Sequence, residues 1–599
     1  MTERELPSNV EIADRFDLIA DLLDIEGGQS RHRILAYRRG ATRIRGERQS
    51  VAALALAKRA TELPDIGGTL QDKIVELCDT GRIAALERLS GQIPPGLAAI
   101  ARLQEIGPKR ARAVWSTLGV VDIDGLAAAL ADGRLATVEG IGPKTITAVT
   151  QQLAAIAGGA DLNERIPAGR AYPLAAELVE TVRTVAGVSR AEIAGGLRRG
   201  AETVHDIDIA VATTDTVALQ AAIAASPLVA EVLSAGERGT AVATHAGIRA
   251  EFRFTQPDTF GNLLQHLTGS KAHNVRLRER AVRAGRSMSE HGVSDADGQV
   301  TRCADEAAVY GLLGLPEIDP ELREDTGEIA AAEAGLLPRL VTVDDLRGDL
   351  HVHTTWSDGR DSLVDMVAAA RELGLEYIGI SDHSKALAMA RGLDADRVRK
   401  QWDDIDAINA TNPGITVLKA CEVDVLADGA LDHDDELLAG FDWVTASLHS
   451  GFRQSERQLT DRILAAIDNP LVNAIGHPTG RMFGRREGYP IDLEAIVERA
   501  AATGTALEIN AQPKRMDLNA DMARRALAGG VRLIIGTDAH STAELAVRRY
   551  GIAMARRAGA TAERIVNCLP LAEVRAIRQA AERQGCLLYT SPSPRDRTR

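Results

Sequence analysis

The sequence predicts a multidomain protein with a helical amino-terminal part, a mixed α+β middle part and a distorted α/β barrel at the carboxyl end. Three observations predict this fold class. A glycine turn followed by a helical pattern recurs three times before residue 150, and an Asp-x-Asp pair follows a loop rich in glycine and arginine. Beyond residue 348, short apolar runs alternate with helical patterns, which is typical of a parallel barrel. A chain of 599 residues is long enough for about four domains.

Composition limits the classes of protein to which the chain can belong. It is 45% hydrophobic and 26% charged, and it has neither a long apolar run nor a charged-then-apolar leader. We therefore expect a cytoplasmic protein with no membrane partner. The five cysteines are scattered without Cys-x-x-Cys spacing, which argues against a disulfide framework and against a zinc ribbon.

The net charge of −14 disfavours a nucleic-acid partner for the chain as a whole, but the charge is uneven. Between residues 31 and 59 there are nine lysines or arginines and one acid, Glu47. A locally basic region is what contact with phosphate requires, so DNA stays a candidate partner.

The helical part begins with apolar positions at helical spacing over residues 9–60. A glycine element then occurs as Leu63-Pro-Asp-Ile-Gly-Gly, as Leu103-Gln-Glu-Ile-Gly-Pro-Lys and as Val138-Glu-Gly-Ile-Gly-Pro-Lys. Glycine lets the backbone approach a phosphate, and the amides that open the next helix favour an anion. One copy would fit an ordinary helix connection, but three copies resemble helix-hairpin-helix elements, which hold DNA without reading its sequence. The residues expected to contact DNA are Gly67, Gly107, Lys109, Gly142 and Lys144.

The middle part centres on Asp206 and Asp208. Side chains two residues apart on a strand leave the same face, so both carboxylates face one way. Paired acids of this kind can hold two Mg²⁺ ions for phosphoryl transfer. Two solvated acids on an edge strand are the alternative, and the preceding Gly-Gly-Leu-Arg-Arg-Gly loop favours the metal site.

The barrel part begins with His351 and His353, which alternate with Val352 on a predicted strand. Later apolar runs each end in further nitrogen or oxygen ligands, and helical patterns lie between several of them, such as residues 361–373 and 515–528. Functional groups of parallel barrels lie at the carboxyl ends of the strands, so these side chains should meet. Six buried structural histidines are the less favoured alternative. The predicted metal ligands are His351, His353, Asp358, His383, Glu422, His449, His477, Asp538 and His540.

Nine nitrogen and oxygen ligands without a cysteine suit divalent ions such as Mn²⁺, Zn²⁺ or Fe²⁺. Nine are too many for one ion, so we expect two or three Mn²⁺ or Zn²⁺ ions. Such a cluster polarises a phosphodiester and activates water. Arg481 follows His477-Pro-Thr-Gly and is a candidate planar clamp for the phosphate, with a surface ion pair as the alternative.

This ligand pattern resembles the PHP (polymerase and histidinol phosphatase) phosphoesterase family over about residues 346–560, because all nine positions hold suitable residues. The segment through Gly314 resembles the family X DNA polymerases, with the palm around Asp206 and a thumb that includes Leu267-Thr-Gly-Ser-Lys-Ala-His-Asn. The whole order resembles the bacterial and archaeal members of that family. The implied parts are a lyase-like helical domain (1–85), a fingers-like helical domain (86–160), a nucleotidyltransferase palm (161–258), a thumb (259–316), a linker (317–340) and the PHP domain (341–585).

The resemblance implies a DNA repair enzyme that joins a gap-filling polymerase to a metal-dependent 3′–5′ exonuclease. Its substrates would be gapped or nicked DNA, bound independently of sequence, and deoxynucleoside triphosphates. The palm would use Mg²⁺ or Mn²⁺, and we expect a monomer. The implied palm and thumb residues that bind metal or nucleotide are Asp206, Asp208, Arg199, Gly269 and Asn274.

The polymerase part departs from the family pattern at several positions. Glu251 stands where the third catalytic aspartate is usual, and Gly196 replaces a serine that helps to hold the triphosphate. His205 replaces a glycine, and His266-Leu267 replaces a tyrosine–phenylalanine pair. The extra methylene of Glu251 can move a carboxylate by about 1 Å, which can reduce a rate roughly 10²-fold. The alternative function is therefore a PHP nuclease or phosphatase that uses a weak or inactive polymerase body to position DNA.

Two further expectations concern the ends of the chain. Lys73 matches the family's lyase lysine, which implies Schiff-base chemistry on an abasic sugar, with a plain phosphate contact as the alternative. Residues 586–599 have no periodicity and two Ser-Pro steps, which predicts a disordered tail. A segment foreign to the native protein and a natural basic tail that contacts DNA are the two alternatives for its origin.

Overall fold

A computed structural model describes residues 6–7, 9–28, 30–45, 51–103, 105–157, 165–244, 246–411, 414–483, 486 and 488–577. The predicted tail at residues 586–599 lies outside these residues. The chain forms two compact units, Met1–Glu164 and Arg165–Arg599.

The first unit is helical, as the sequence predicts. Its core contains Phe16, Ile19, Leu70 and Ile74, which recur at helical spacing on the buried faces. The helices are α1 (Asn9–Glu26), α2 (Arg31–Arg45), α3 (Val51–Leu56), α4 (Gly68–Thr80), α5 (Ala84–Gln92), α6 (Leu97–Arg102), α7 (Gly107–Leu118), α8 (Ile123–Ala131) and α9 (Pro143–Ala157). Over the described residues, no single helix has the length and apolar character needed to cross a membrane, although the bent pair α7 and α8 meets that test jointly.

The second unit begins with a mixed five-stranded sheet in the order β2-β4-β7-β6-β5. Only β4 and β7 run parallel, so their carboxyl ends lie side by side. Phe252 and Phe254 of β7 are buried, while Glu251 and Arg253 alternate onto the opposite face. The elements are β1 (Ile166–Pro167), α10 (Ala168–Arg183), β2 (Val188–Ile193), α11 (Gly195–Arg198), β3 (Thr203–Val204), β4 (Ile207–Thr213), α12 (Thr216–Ala225), β5 (Val229–Gly236), β6 (Gly239–Thr244) and β7 (Arg249–Thr255).

A small helical region follows the sheet and includes much of the predicted linker. Arg323 is fully buried there and donates to Glu306 at 2.5 Å. Ile318 and Ala332 join the same apolar cluster as Leu277, so the linker residues pack as part of this region. The elements are α13 (Phe260–Thr268), α14 (Lys271–Arg283), β8 (Ser287–Ser289), β9 (Gly292–Ser294), β10 (Val300–Thr301), α15 (Glu306–Leu312) and α16 (Glu328–Glu333).

The predicted α/β barrel is present as seven parallel strands in sequence order, β11 to β17. A bridge between Val352 and Ala539 nearly closes it. Its strands are buried on both faces, which explains why they are continuous apolar runs. The elements are β11 (Gly348–Val352), α17 (Leu363–Glu372), β12 (Tyr377–Ile380), α18 (Ala395–Thr411), β13 (Thr416–Asp424), α19 (Asp435–Leu438), β14 (Trp443–Ser447), α20 (Glu456–Asp468), β15 (Ala474–Ile475), α21 (Leu493–Thr503), β16 (Ala506–Asn510), α22 (Ala520–Ala528), β17 (Leu533–Gly536) and α23 (Arg548–Arg557).

One predicted helix is shorter than expected. The pattern over residues 361–373 matches α17, but the pattern over residues 515–528 becomes helical only at Ala520. Asn519 caps α22, since its side chain accepts from the Met522 amide at 2.8 Å. Arg515 therefore lies in the loop between β16 and α22, at the rim of the barrel.

Two helical glycines of the second unit differ in the space around them and provide a test of packing. A Cβ at Gly261 in α13 would lie 2.1 Å from the carbonyl oxygen of Asp305, whereas a Cβ at Gly311 in α15 would meet nothing within 4 Å. We expect Gly261→Ala to destabilise the protein by about 1–3 kcal/mol through overpacking. The control Gly311→Ala should stabilise it by up to about 1 kcal/mol, because alanine has the higher helix propensity. Thermal unfolding measures both effects, and equal shifts would contradict the packing.

Candidate active sites

All nine predicted metal ligands lie together at the carboxyl-terminal rim of the barrel. His351 is on β11, Glu422 is on β13, and Asp538 lies two residues after the end of β17. Asp358 and His540, from loops on neighbouring strands, approach each other with Nε2 of His540 3.4 Å from Oδ1 of Asp358. Parallel strands open their carboxyl ends on one side of a barrel, which explains why residues far apart in sequence meet here.

Glu422 is the central carboxylate of this cluster. Its two oxygens lie near five imidazoles: Nδ1 of His383 and Nε2 of His477 at 2.9 Å, Nε2 of His351 and of His449 at 3.4 Å, and Nε2 of His353 at 3.6 Å. Only 1% of its surface is exposed. Glu422 therefore links ligands that arrive from five strands.

The ligand atoms form three overlapping groups, in each of which all atoms lie within 4.8 Å of one another. His353 and His383 each belong to two groups, so adjacent cation positions would share these side chains. The groups are His353, Asp358, His383 and His540; His351, His353 and Asp538; and His383, Glu422 and His449. Such overlap suits a cluster of metals better than one isolated ion.

Several buried polar atoms of the cluster have no hydrogen-bond partner among the described residues. They include Nε2 of His351, Nε2 of His353 and both carboxylate oxygens of Glu422. Buried polar atoms without partners are rare because each carries a desolvation penalty. Imidazole nitrogens and carboxylate oxygens are ligands of divalent ions, so this donor set fits such ions.

The electrostatics of the cluster also favour cations. Burial opposes ionisation of Glu422, yet His449 and His351 hold the pKa of its carboxyl well below the usual range. Burial lowers the pKa of His449, but Glu422 and Asp424 outweigh it and raise the pKa to about 10. At His353 burial dominates, and the pKa falls to about 3. Metal ions would replace protons on the raised imidazoles, so metal binding should release protons.

Supporting residues that the sequence analysis missed orient these ligands. Nδ1 of His351 donates to Glu508 at 2.6 Å, and the other oxygen of Glu508 accepts from the His477 amide at 2.6 Å. Nδ1 of His449 bonds to Asp424 at 3.1 Å. Such partners fix the ring orientation and raise the basicity of the ligating nitrogen. The signal for Glu508 was available, because β16 is an apolar run interrupted by an acid at alternating spacing.

The two arginines near the cluster have different surroundings. Arg481, the predicted phosphate clamp, donates to Glu202 at 2.8 Å and to the carbonyl of Met516. Arg515 instead lies against the ligands, with its Nε 3.5 Å from Oδ2 of Asp538. Its side chain is 11% exposed, and neither Nε nor one terminal nitrogen has a hydrogen-bond partner among the described residues. Arg515 is thus the guanidinium that faces the cluster.

The second candidate site lies on the mixed sheet, where the structure brings the predicted acids together. Asp208 on β4 and Glu251 on β7 are direct partners across the parallel pair. Burial, together with the charges of Asp206 and Glu251, raises the pKa of Asp208 to about 7. Burial and the charge of Glu251 also raise the pKa of Asp206. Repulsion of this kind is relieved by divalent cations, so these acids fit Mg²⁺ or Mn²⁺.

Glu251 also has a competing partner. The Arg249 guanidinium, two residues earlier on the same face of β7, donates to its carboxylate. Glu251 must leave or share this ion pair before it can bind a metal or accept a proton. The register therefore places Glu251 beside Asp208, while its bond with Arg249 holds the carboxylate in an ion pair.

Close packing in the loop beside these acids explains why two of its positions are glycine. A Cβ at Gly195, where φ is +59°, would lie 2.0 Å from Oδ2 of Asp208, so only glycine fits. A Cβ at Gly196 would lie 2.9 Å from a methyl carbon of Val204, which leaves little room for the usual serine. The positive charge of Arg199 opposes the rise in the pKa of Asp208.

The remaining predicted nucleotide contacts differ in their availability. Gly269 ends α13 beside Arg199, since a Cβ there would lie 3.3 Å from the guanidinium. Asn274 is buried; its amide group donates to the His266 carbonyl, and its oxygen accepts from Gln265, both at 2.8 Å. Asn274 therefore holds the end of α13 in place.

The predicted DNA contacts of the first unit lie at helix starts. Gly67 precedes α4, Gly107 begins α7 with φ at +64°, and Gly142 precedes α9. Lys109 is exposed in α7, and the Lys144 side chain lies outside the described part of the chain. Lys73 is half-buried on α4.

Comparisons with known families agree with this architecture. Residues 7–83 match the helix-hairpin-helix domain family, and residues 98–155 match the SAM-like helix-hairpin-helix tandem family. Residues 263–324 match the DNA polymerase beta thumb family, and residues 349–512 match the PHP domain family. The matches define a DNA-binding polymerase body joined to a PHP domain, a class that depends on divalent metal ions.

Individual relatives extend this picture to nearly the whole chain. The chain is 33% identical over 569 residues to the DNA polymerase/3′-5′ exonuclease PolX of Bacillus subtilis strain 168, covering 94% of this chain and 98% of that protein. A probable phosphatase of Syntrophotalea carbinolica is 31% identical over 235 residues, 37% of this chain and 90% of the relative. A probable phosphatase of Clostridium acetobutylicum is 28% identical over 202 residues, 32% of this chain and 78% of the relative. The chain belongs to the bacterial and archaeal family X DNA polymerases that carry a carboxy-terminal PHP domain.

Proposed function

We propose that this protein is a DNA polymerase and a 3′–5′ exonuclease in one chain, which fills gaps in DNA and trims 3′ ends during repair. The observation that carries the proposal is the cluster of eight ligands in three overlapping groups, with His477 beside Glu422, in the same chain as the register-paired acids Asp208 and Glu251. Its likeness to B. subtilis PolX over nearly the whole length supports both activities. Binding of DNA and of deoxynucleoside triphosphates follows from the polymerase role.

In the PHP domain, the nine ligands would hold two or three ions, with Mn²⁺ or Zn²⁺ favoured by the imidazole-rich donor set. Bound metals supply an activated water molecule and shield the charge of the phosphodiester. Glu508 and Asp424 fix the orientation of His351 and His449, so that each presents its Nε2 to the cluster. The chain itself thus preorganises the ligands.

Arg515 is the better-placed residue to hold the scissile phosphate. Its buried guanidinium lies beside Asp538 and has donors to spare, and a planar guanidinium suits a phosphate oxygen pair. Arg481 is engaged by Glu202, which matches the ion-pair alternative considered for it. We therefore assign phosphate contact to Arg515 and a bridging role to Arg481.

In the palm, Asp206 and Asp208 would hold Mg²⁺ or Mn²⁺, and Arg199 would contact the triphosphate. Glu251 would act as the third ligand and as the base toward the primer 3′-hydroxyl. A glutamate has the same charge and oxygens as the usual aspartate, so the change alters placement of the carboxylate. Loss of the serine hydroxyl at Gly196 removes a hydrogen bond to a charged group, about 1.5–3 kcal/mol.

The DNA contacts of the first unit would be independent of sequence, because backbone amides at helix starts read no bases. The predicted division into lyase-like, fingers-like, palm, thumb and PHP parts is retained as a proposal. The boundary between the compact units at Glu164 supports the division near residue 160. Cytoplasmic location, the monomeric state, and gapped or nicked DNA as the preferred substrate stay predictions from the sequence.

A second candidate function keeps only the PHP activity and uses the palm as a platform for DNA. It is favoured by the ion pair between Glu251 and Arg249, and by the bonds that occupy Asn274. Both functions share the exonuclease site, so polymerase activity separates them.

The exonuclease proposal predicts that His351→Ala combined with His449→Ala lowers the amount of bound metal and removes DNA degradation. His351 and His449 approach Glu422 from two strands, so the double variant has no complete ligand group that contains Glu422. We expect a loss of at least roughly 10²-fold, because even indirect metal partners typically contribute 10–100-fold. Metal content by mass spectrometry and 3′-end degradation measure the two effects. Degradation that survives in the metal-depleted variant would contradict the assignment.

The polymerase proposal predicts that Glu251→Asp improves one-nucleotide gap filling, by up to roughly 10²-fold. The shorter side chain withdraws the carboxylate from Arg249 and restores the usual reach toward Asp208. Asp206→Ala, which removes a metal ligand, should abolish extension. Wild-type extension no greater than that of Asp206→Ala would establish the platform function instead.

The lyase prediction for Lys73 is tested by borohydride trapping on DNA that contains an abasic site. A Schiff base on Lys73 would give a covalent adduct that Lys73→Ala loses. Lys109→Ala is the control, because a lysine that only contacts phosphate should weaken DNA binding without preventing the adduct at saturating DNA. An adduct of equal yield in Lys73→Ala would show that Lys73 is only a phosphate contact.

A further inference from the structure

The loop that carries Arg199, residues 195–202, packs against the PHP domain. Arg557 at the end of α23 donates to the backbone carbonyl of Arg199 at 2.8 Å. Gly200, with φ at +67°, approaches the same helix so closely that a Cβ would lie 3.0 Å from Cβ of Ala553. Glu202 pairs with Arg481 at 2.8 Å. This loop, named here the nucleotide loop, is thus held by contacts from a different domain.

Glu324 completes the connection. One of its carboxylate oxygens accepts from Nε of Arg199 at 3.0 Å and from Arg557 at 2.8 Å. Glu324 is 25% exposed, and each arginine side chain is 18% exposed, so the three charges are partly shielded from water. Two guanidinium groups share one carboxylate, which leaves the trio with a net positive charge.

The remaining donors of Arg199 show what this arrangement does. One terminal nitrogen donates to the carbonyl of Thr268 at 2.5 Å, while Nε is held by Glu324. Among the described residues, the second terminal nitrogen has no hydrogen-bond partner, so it is available for an anion. Two fixed bonds orient the guanidinium fork, and orientation determines how well it meets a phosphate.

We infer that Glu324 and Arg557 are positioning residues for Arg199, by which the linker and the PHP domain together shape the triphosphate subsite of the polymerase. The inference rests on the proposed polymerase function and adds a role for the PHP domain that is separate from its own hydrolysis. Glu324 aims Arg199, while Arg557 fixes the backbone of residue 199 and offsets the charge of Glu324. Without Arg557, the pair of Glu324 and Arg199 is neutral and attracts a triphosphate less.

The test measures equilibrium binding of a deoxynucleoside triphosphate to full-length protein on gapped DNA with a dideoxy-terminated primer, where no chemistry occurs. We expect Glu324→Ala and Arg557→Met each to weaken nucleotide binding roughly tenfold or more, because each loses hydrogen bonds between charged groups. Glu324→Gln keeps an acceptor for Nε of Arg199 and should lose less. In steady-state gap filling, KM for the nucleotide should rise more than kcat falls.

A neighbouring ion pair provides the matched control. Arg556 of α23 donates to Glu321 at 2.6 Å, and this pair joins the same segments without contacting Arg199. Glu321→Ala should lower thermal stability as Glu324→Ala does, yet leave nucleotide affinity unchanged. The 3′–5′ exonuclease activity of Glu324→Ala should stay at the wild-type level, which confirms that the PHP domain is folded.

Three results would overturn the inference. Unchanged nucleotide affinity in Glu324→Ala would mean that the trio is a structural link only, and tighter binding would mean that Glu324 competes with the triphosphate. An equal loss in Glu321→Ala would assign the effect to general docking of the domains. Failure of the polymerase function itself is recognised separately, by wild-type extension no greater than that of Asp206→Ala.

Discussion

The buried carboxylate of Glu422 among five imidazoles is the interaction on which the rim of the barrel is organised. So many polar groups can be buried together only if their charges and lone pairs are satisfied, and the described residues leave several of them without hydrogen bonds. A cluster of divalent cations would satisfy these groups. Seven parallel strands that open on one side provide the rigid frame that such a cluster needs, and Glu508 and Asp424 keep the imidazoles turned inward.

In both candidate sites several acids are buried close together, and neighbouring positive charges stabilise them to different degrees. In the barrel, each carboxylate of the cluster lies next to imidazoles, so their opposite charges stabilise one another. In the palm, three acids repel one another with Arg199 and Arg249 as the main counterions, and the pKa of Asp208 rises accordingly. The barrel site is therefore preorganised, whereas the palm must rearrange Glu251 away from Arg249 before it can assemble.

The barrel and the palm also share structural elements. Helix α23 packs on the barrel with one face and supports the nucleotide loop with another, and Arg481 extends from the rim of the barrel to Glu202. A buried ion pair is costly to break once one partner is removed, so these contacts fix how the loop is held. Domains linked in this way can influence how each other's substrates are bound without any large movement.

Simple periodicities in the sequence determined much of this protein. Alternation on single strands and acids or histidines at successive strand ends predicted nine side chains that the structure brings together, and the Asp-x-Asp spacing predicted that Asp206 and Asp208 share one face. What these patterns could not provide was the direction of long side chains. Arg515 was placed in a helix, and the clamp was assigned to Arg481, because a guanidinium reaches several ångströms from its backbone and its target depends on the packing of other segments. The same holds for Glu508, for the ion pair of Glu251 with Arg249, and for Glu324 between two arginines. Spacing along the chain fixes which face a residue occupies, while only the tertiary structure decides which charge from a distant segment it meets there.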